Sequence, residues 1–330
     1  MNQNTKTVII TGVLGFIGSH TAKAFRNAGY KVIGIDREWT MKEGASFCDM
    51  IFIDDFVNIT ATIAAKEKVD AIIHIAGTSL VGPSLKDPGE YYRNNVAKTN
   101  QMLDDLASEG WAGKIVFSSS AATYGNNCVV PISEQAEGTP VSPYGHSKKM
   151  CEYVIKDHTY AYGHKSIALR YFNACGCDAD GELGNVWNDT HLIPRVVQSI
   201  IESKPFTMNG IDFTTKDGTC VRDYLHVSDI AQAHVKALDL CDTFDTGTFK
   251  AYNLGTGQGY SNLEITQTVQ AITGKILNCK LGPKREGDPD ALIADPSAFI
   301  KDSKWKPEHS DLKNIVKTTY NWMKKHEVVS

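Results

Sequence analysis

The chemistry this sequence can do concentrates in residues 142–150, "SPYGHSKKM", where Tyr144 and Lys148 stand four apart. The segment 143–160 reads as a helix, which places such a pair one above the other on one face. An ammonium held beside a phenol favours the phenolate and draws the tyrosine pKa down toward neutral pH. A tyrosine of that kind takes a proton from an alcohol while hydride leaves the same carbon. Tyr-x-x-x-Lys pairs are also common on solvated helix faces. The reading therefore depends on whether the chain supplies a hydride acceptor, a third catalytic group and a pocket.

A hydride acceptor is indicated near the N-terminus. Gly12, Gly15 and Gly18 lie between the β-branched run "TVIIT" (7–11) and a helical pattern that stops near Gly29. Glycines there let the backbone turn tightly and approach a pyrophosphate, which rests on the helix N-terminus. The spacing is G-x-x-G-x-x-G. Asp36 closes the next strand, "KVIGID", where a carboxylate accepts from both ribose hydroxyls and repels a 2′-phosphate, favouring NAD over NADP. Arg37 beside it is the residue type that holds a 2′-phosphate, and keeps NADP as the alternative. His74, His146 and His226 read as structural: one ends a buried strand, one lies on a helix surface and one sits in a turn.

Strand and helix patterns alternate through the first half: strands at 7–11, 31–36, 50–54, 70–76, 114–119 and 166–173, with one helix opened by the three glycines and ending at Gly29 and others near 58–67, 87–109 and 143–160. That alternation is the pattern of a doubly wound parallel sheet. It breaks at 174–190, a Gly/Asp/Asn/Cys-rich stretch expected to be a long loop. Shorter mixed elements follow, and "LGPKREGDPD" (281–290) reads as another polar loop. The expected organisation is a dinucleotide-binding domain over 1–173, rejoined by elements from about 223–254. A smaller mixed α/β substrate-binding lobe would comprise 174–222 and 255–330. At 330 residues the chain has length for two such lobes.

Hydrophobic residues make up 42% and charged residues 22%, with a net charge of −4, which argues against general nucleic-acid or anionic-membrane affinity. No apolar run approaches the ~18–20 residues that span a bilayer. The N-terminus lacks the marks of a secretory signal. The eight cysteines are scattered, and only Cys175 and Cys177 are close, without a partnering His or Cys pair. They read as free thiols of a cytoplasmic protein, and no metal site is expected.

"TGVLGFIGSH", Asp36, "HIAG", "YYRNNV", "FSSSAATYG", "SPYGHSK", "RYFN", "GTCVRDYLHV" and "REGDP" occur in this order from about residue 7 onward. As a set they resemble the extended short-chain dehydrogenase/reductase family, and within it the UDP-glucose 4-epimerases, over residues 7 to about 325. The resemblance implies a Rossmann-type fold, a homodimer, and tightly bound NAD that is not consumed. It makes Ser120 the third catalytic group with Tyr144 and Lys148. It places Gly12, Gly15, Phe16, Ile17, Gly18, Asp36, Asp55, Phe56, Ile75, Ala76, Gly77, Asn95, Ser118, Tyr144, Lys148 and Tyr171 around the cofactor. Ser120, Asn173, His191, Leu192, Arg222, Arg285, Asp288 and Leu292 would hold a UDP-sugar, the two arginines on its diphosphate.

Two absences sharpen the implied activity. Relatives that dehydrate or decarboxylate a nucleotide sugar carry acidic residues just after the position of Ser120, whereas this chain has Ala121 and Ala122, which exchange no proton. A 4-keto intermediate then has little to do except take its hydride back, so the expected reaction is a redox-neutral 4-epimerisation of UDP-glucose and UDP-galactose. The alternatives are another UDP-sugar (UDP-N-acetylglucosamine or UDP-xylose), a nucleotide-sugar reductase, or an inactive NAD-sensing protein. Ser79 and His191 replace a lysine and an asparagine common in the resembled group. Leu292 stands where some relatives have a bulkier tyrosine near the sugar C2 substituent.

Overall fold

The structure, a computed structural model, describes residues 5–126, 128–185, 191–284 and 288–326. In chain order its strands are β1 (Thr7–Thr11), β2 (Lys31–Asp36), β3 (Met50–Ile53), β4 (Ala71–His74), β5 (Lys114–Ser120), β6 (Lys165–Tyr171), β7 (Asn173–Cys175), β8 (Phe206–Asn209), β9 (Val221–Arg222), β10 (Tyr224–His226), β11 (Phe249–Leu254), β12 (Tyr260–Ser261), β13 (Cys279–Gly282) and β14 (Ala291–Leu292). The helices are α1 (Phe16–Asn27), α2 (Phe56–Glu67), α3 (Val81–Lys86), α4 (Pro88–Tyr91), α5 (Lys98–Ser108), α6 (Pro143–Tyr162), α7 (Leu192–Ile201), α8 (Val227–Cys241), α9 (Asn262–Thr273), α10 (Ser297–Ser303) and α11 (Leu312–Lys325).

Seven strands form one parallel sheet in the order β11-β6-β5-β4-β1-β2-β3. Its central strands are apolar on both faces because helices cover both. Successive side chains of β1 divide accordingly. Val8 and Ile10 join Phe25 of α1 and Leu238 of α8, while Ile9 joins Ile63, Leu103 and Ile155 of α2, α5 and α6. The order reverses between β1 and β4. A doubly wound sheet opens its crevice at that point, beyond the carboxyl ends of the strands.

A separate apolar cluster unites α7, α9 and α11 through Val196, Val197, Ile265, Val269, Ile315 and Val316. Small sheets accompany it: β8 pairs with β13, β9 lies between β12 and β14, and β7 pairs with β10. Lys23 on α1 fastens the 178–182 segment to the main sheet's helices, donating to Asp178, Asp180 and Glu182 at 2.7 to 3.0 Å.

α6 shows how local sequence sets an element. The Ser142 hydroxyl accepts from the Gly145 amide, Pro143 occupies the first turn, and Gly163 at φ +77° ends the helix. The helix expected at 87–109 is divided. Between α4 and α5, residues Tyr92–Ala97 wind as a π-helix, a departure that often marks functional sites. The expected loop at 281–290 also needs correction at its start. Leu281 and Gly282 are strand, paired with Met208 and Asn209 more than seventy positions earlier, a partner that local pattern does not reveal. Likewise Ala174 and Cys175 belong to β7, paired with β10.

Candidate active site

The carboxyl end of β5 contributes three consecutive serines, each engaged differently. The buried Lys148 ammonium donates to the Ser118 carbonyl at 2.9 Å. The Ser119 hydroxyl donates to the Glu152 carboxylate. The Ser120 hydroxyl accepts from the Ala122 amide at 3.2 Å and lies close enough to Tyr144 to lower its pKa. Tyr144, Lys148 and Glu152 are successive i, i+4 positions of α6, so one helix face is set against one strand end and fastened to it through Lys148 and Glu152. Arg170, opposite Ser119 in the β5–β6 register, closes the arrangement with donors at 2.9 and 2.6 Å from the two Glu152 oxygens. A buried ion pair satisfied in this way holds geometry more than it adds stability.

The geometry corrects the expected electrostatics of the tyrosine. Lys148 is 4% exposed, and its ammonium finds its acceptor at Ser118, lying 4.9 Å from the centre of the Phe117 ring. Burial raises the Tyr144 pKa, and the opposing influence is the hydrogen bond from Ser120 rather than the lysine. The lysine itself is pulled down to about 8 by burial, against the influence of Cys151 and Glu152. A buried ammonium needs an acceptor more than it needs to face a neutral phenol.

At the β1–α1 turn, Gly12 has φ +72°, and a Cβ there would lie 2.8 Å from the Ala76 amide nitrogen; one at Gly18 would lie 1.9 Å from the Gly12 carbonyl oxygen. Only glycines allow turn, helix and the β4 end to approach so closely. α1 starts after Gly15 with no side-chain cap and no acidic residue in its first turn, and Phe16 and Ile17 are its half-buried first residues. Asp36 is bound into the turn, accepting from the Leu14 and Arg37 amides at 2.8 Å each; burial raises its pKa against these bonds.

Across the crevice, Ile75, Ala76 and Gly77 follow β4. The Gly77 Cβ position looks onto Asn95 Oδ1 at 3.0 Å and Lys148 Nζ at 3.4 Å. Asn95, 2% exposed, accepts from the Thr78 amide and donates to the Thr78 carbonyl and the Ser147 hydroxyl. Asp55 caps α2 and pairs with Lys98, while Phe56 is buried edge-on against His74. Tyr171, level with Ser120 in the sheet, turns its hydroxyl to His234 at 2.6 Å, and burial raises its pKa. His74 is held by Thr11 and Thr99 at 2.8 Å each, with burial lowering its pKa to about 3. His226 is similarly engaged by Ser228 and Thr318.

A cavity of about 180 Å³ lies among β7, β8, β9 and α7 and is lined by Asn173, His191, Leu192, Arg222 and Asp288, with Phe206–Asn209 along one side. Arg222 is held by the Val221 and Pro289 carbonyls at 2.8 and 2.9 Å and lies 3.7 Å from Asp288. Leu292 pairs with Arg222 in the strand register but does not line this cavity. Ser120 is at the β5 end, also outside it, and Arg285 lies outside the described residues. The stretch 206–209 escaped sequence reasoning. β8 bonds to β13 through Phe206 and, two residues further on, Met208 and Gly210, so the intervening Thr207, which lines the cavity, turns its main-chain groups away from β13. The apolar-polar alternation of "FTMN" signals a strand there, but not what its edge faces.

A model of the NAD dependent epimerase/dehydratase family matches residues 8–255. The UDP-glucose 4-epimerase of Lacticaseibacillus casei is 38% identical over 326 residues, covering 97% of each chain. The crystal structure of the UDP-glucose 4-epimerase from Brucella ovis in complex with NAD superposes with a TM-score of 0.91 at 37% identity, covering 96% of this chain and 98% of that one. The enzyme from Bifidobacterium longum in complex with NAD+ and UDP gives a TM-score of 0.89 at 33% identity, over 98% and 99%. This chain belongs to the NAD dependent epimerase/dehydratase family. The dinucleotide fits the residues present: an uncapped helix N-terminus, a turn that any Cβ would obstruct, and a carboxylate with lone pairs to spare.

Proposed function

We infer that this chain catalyses NAD-dependent, redox-neutral epimerisation at C4 of a UDP-hexose, interconverting UDP-glucose and UDP-galactose. The reading is carried by the two alanines directly after Ser120. Ser120 neighbours Tyr144 and lowers its pKa, with Lys148 one turn further along α6. Ala121 and Ala122 offer neither acid nor base, and the Thr123 hydroxyl is committed to the Ser120 carbonyl at 2.8 Å. This grouping exchanges one proton at a sugar oxygen and provides nothing for elimination.

In this reading Tyr144 takes the O4 proton and later returns it, with Ser120 hydrogen-bonded to the same oxygen. With cofactor and substrate in place the Lys148 ammonium, held at the Ser118 carbonyl in this structure, is read as reaching Tyr144, where its charge favours the phenolate. NAD, when bound, accepts hydride from C4 and gives it back, so the cofactor is retained between turnovers. Arg222, held by two carbonyls, and Asp288 anchor the nucleotide half in the cavity. The outward main chain at Thr207 provides donors and acceptors suited to a uracil edge. Firm anchoring of the nucleotide leaves the hexose free to present its other face. The reaction is tested by incubating purified protein with UDP-galactose, adding no cofactor, and following UDP-glucose by NMR. Product is expected; its absence even with NAD supplied would sink the reading.

A homodimer built on α6 is part of the proposal. Met150, Tyr153 and Tyr160 are 43%, 57% and 85% exposed and share one helix face with Asp157, at i, i+3, i+7 and i+10. Sedimentation should show a dimer, and Tyr153→Glu with Tyr160→Glu should yield monomer. Eight free cysteines suit the reducing cytoplasm, where we place the enzyme. Among the described residues no helix is long and apolar enough to cross a membrane.

A further inference from the structure

The first tyrosine of "YYRNNV" has no part in the chemistry above, yet Tyr91 is 1% exposed and stands behind the catalytic helix. Its hydroxyl lies 2.5 Å from the Ser79 carbonyl oxygen and 2.8 Å from that of Leu80. Leu80 has φ +82° and ψ 121°, a conformation that costs an L-residue and persists only where its surroundings enforce it. A hydroxyl shared by two successive carbonyls is such an enforcement.

The ring of Tyr91 also meets Tyr144 edge-on, with centroids 6.2 Å apart and planes at 76°. Thr78, just before the strained turn, is gripped by Asn94 through its hydroxyl at 2.9 Å and by Asn95 through its main chain. Asn95 reaches Ser147, whose hydroxyl donates to the Tyr144 carbonyl at 2.8 Å. Residues 91, 94 and 95, at i, i+3 and i+4, lie on one helix face and grip the same 78–80 segment. The turn at 79–80 continues from Gly77, which faces Lys148, and runs into α3, which packs on α6. It therefore runs from beside the Lys148 ammonium to the flank of the helix that carries Tyr144.

We propose that Tyr91 is a positioning residue for the epimerisation. Its hydroxyl holds the strained 79–80 turn as a wall of the hexose site, and its ring fixes the orientation of Tyr144. The wall and the base thus keep one register while the sugar presents each face. This rests on the assignment of Tyr144 as the base.

The test compares holoenzyme variants by kcat, KM for UDP-galactose and UDP affinity. Tyr91→Phe keeps the ring and removes the clamp, and should lower kcat about tenfold, or about 1.4 kcal/mol, with UDP affinity within about twofold. Adding Leu80→Gly, which accepts positive φ without steric cost, should recover most of that loss. A Tyr91→Phe enzyme at full kcat, whatever its thermal stability, overturns the proposal, and so does a double variant no better than Tyr91→Phe. If Tyr91→Phe does not fold, Leu80→Val decides. A β-branched residue crowds the same torsion while Tyr91 stays intact, so kcat should again fall about tenfold, and full kcat overturns the proposal. Tyr144→Phe run alongside separates the two claims, since an active Tyr144→Phe enzyme would remove the base assignment itself.

Discussion

The glycine turn and the cavity beside β8 and α7 are built in opposite ways. The turn takes its parts from residues 12 to 36, with Leu14 and Gly12 bonded directly to the end of β2. The cavity draws on residues from 173 to 288, carried by strands that find partners far away in sequence. A turn made from one contiguous stretch depends on steric permission at a few glycines. A cavity made from many stretches depends on the packing that assembles them. The proposed catalytic residues Ser120, Tyr144 and Lys148 stand at the main-sheet side of this division, on β5 and α6.

Substitutions that separate these regions test the contrast. The largest effect is expected at the proposed base. Tyr144→Phe should reduce kcat by roughly a hundredfold to ten-thousandfold, while UDP binding measured by calorimetry stays near wild type because the cavity is untouched. Loss of UDP binding would show that the two regions are not independent. Arg222→Ala should act the other way, weakening UDP affinity by roughly tenfold to a hundredfold through lost charge-assisted hydrogen bonds. The NAD content of the purified protein, read by denaturing release, should not change. A smaller, graded effect is expected from pH. Lys148 is charged below about 8 and neutral above it, so kcat should decline as pH rises through that value. Lys148→Arg, whose guanidinium keeps its proton, should lose the alkaline limb from whatever activity remains. A limb that persists in the arginine variant would assign it to another group.

Legibility followed the same division. Gly12, Gly15, Gly18 and Asp36 could be read as a dinucleotide turn because their roles need only local geometry and residue type. Ser142 and Gly163 bound α6 by the same kind of local rule. The helix at 87–109 was legible as helix, but its π-wound middle was not. Asn94 and Asn95 within it bond to Thr78 and Ser147, neither of which is near in sequence. Leu281 and Gly282 looked like loop because their strand partner is β8. Tyr144 and Lys148 were legible as a pair, yet the lysine's acceptor at Ser118 depends on how deeply α6 is buried against β5.

The sequence by itself determined the alternating architecture, the glycine turn, the acidic residue that favours NAD, and the absence of an acid or base after Ser120. These come from periodicity, backbone sterics and the chemistry of single side chains, which are properties of short stretches. Tertiary structure decided which buried charges find acceptors, how the strained turn at Leu80 is held by Tyr91, and which strands line the cavity. Those depend on desolvation and long-range pairing, which exist only once distant segments are packed together.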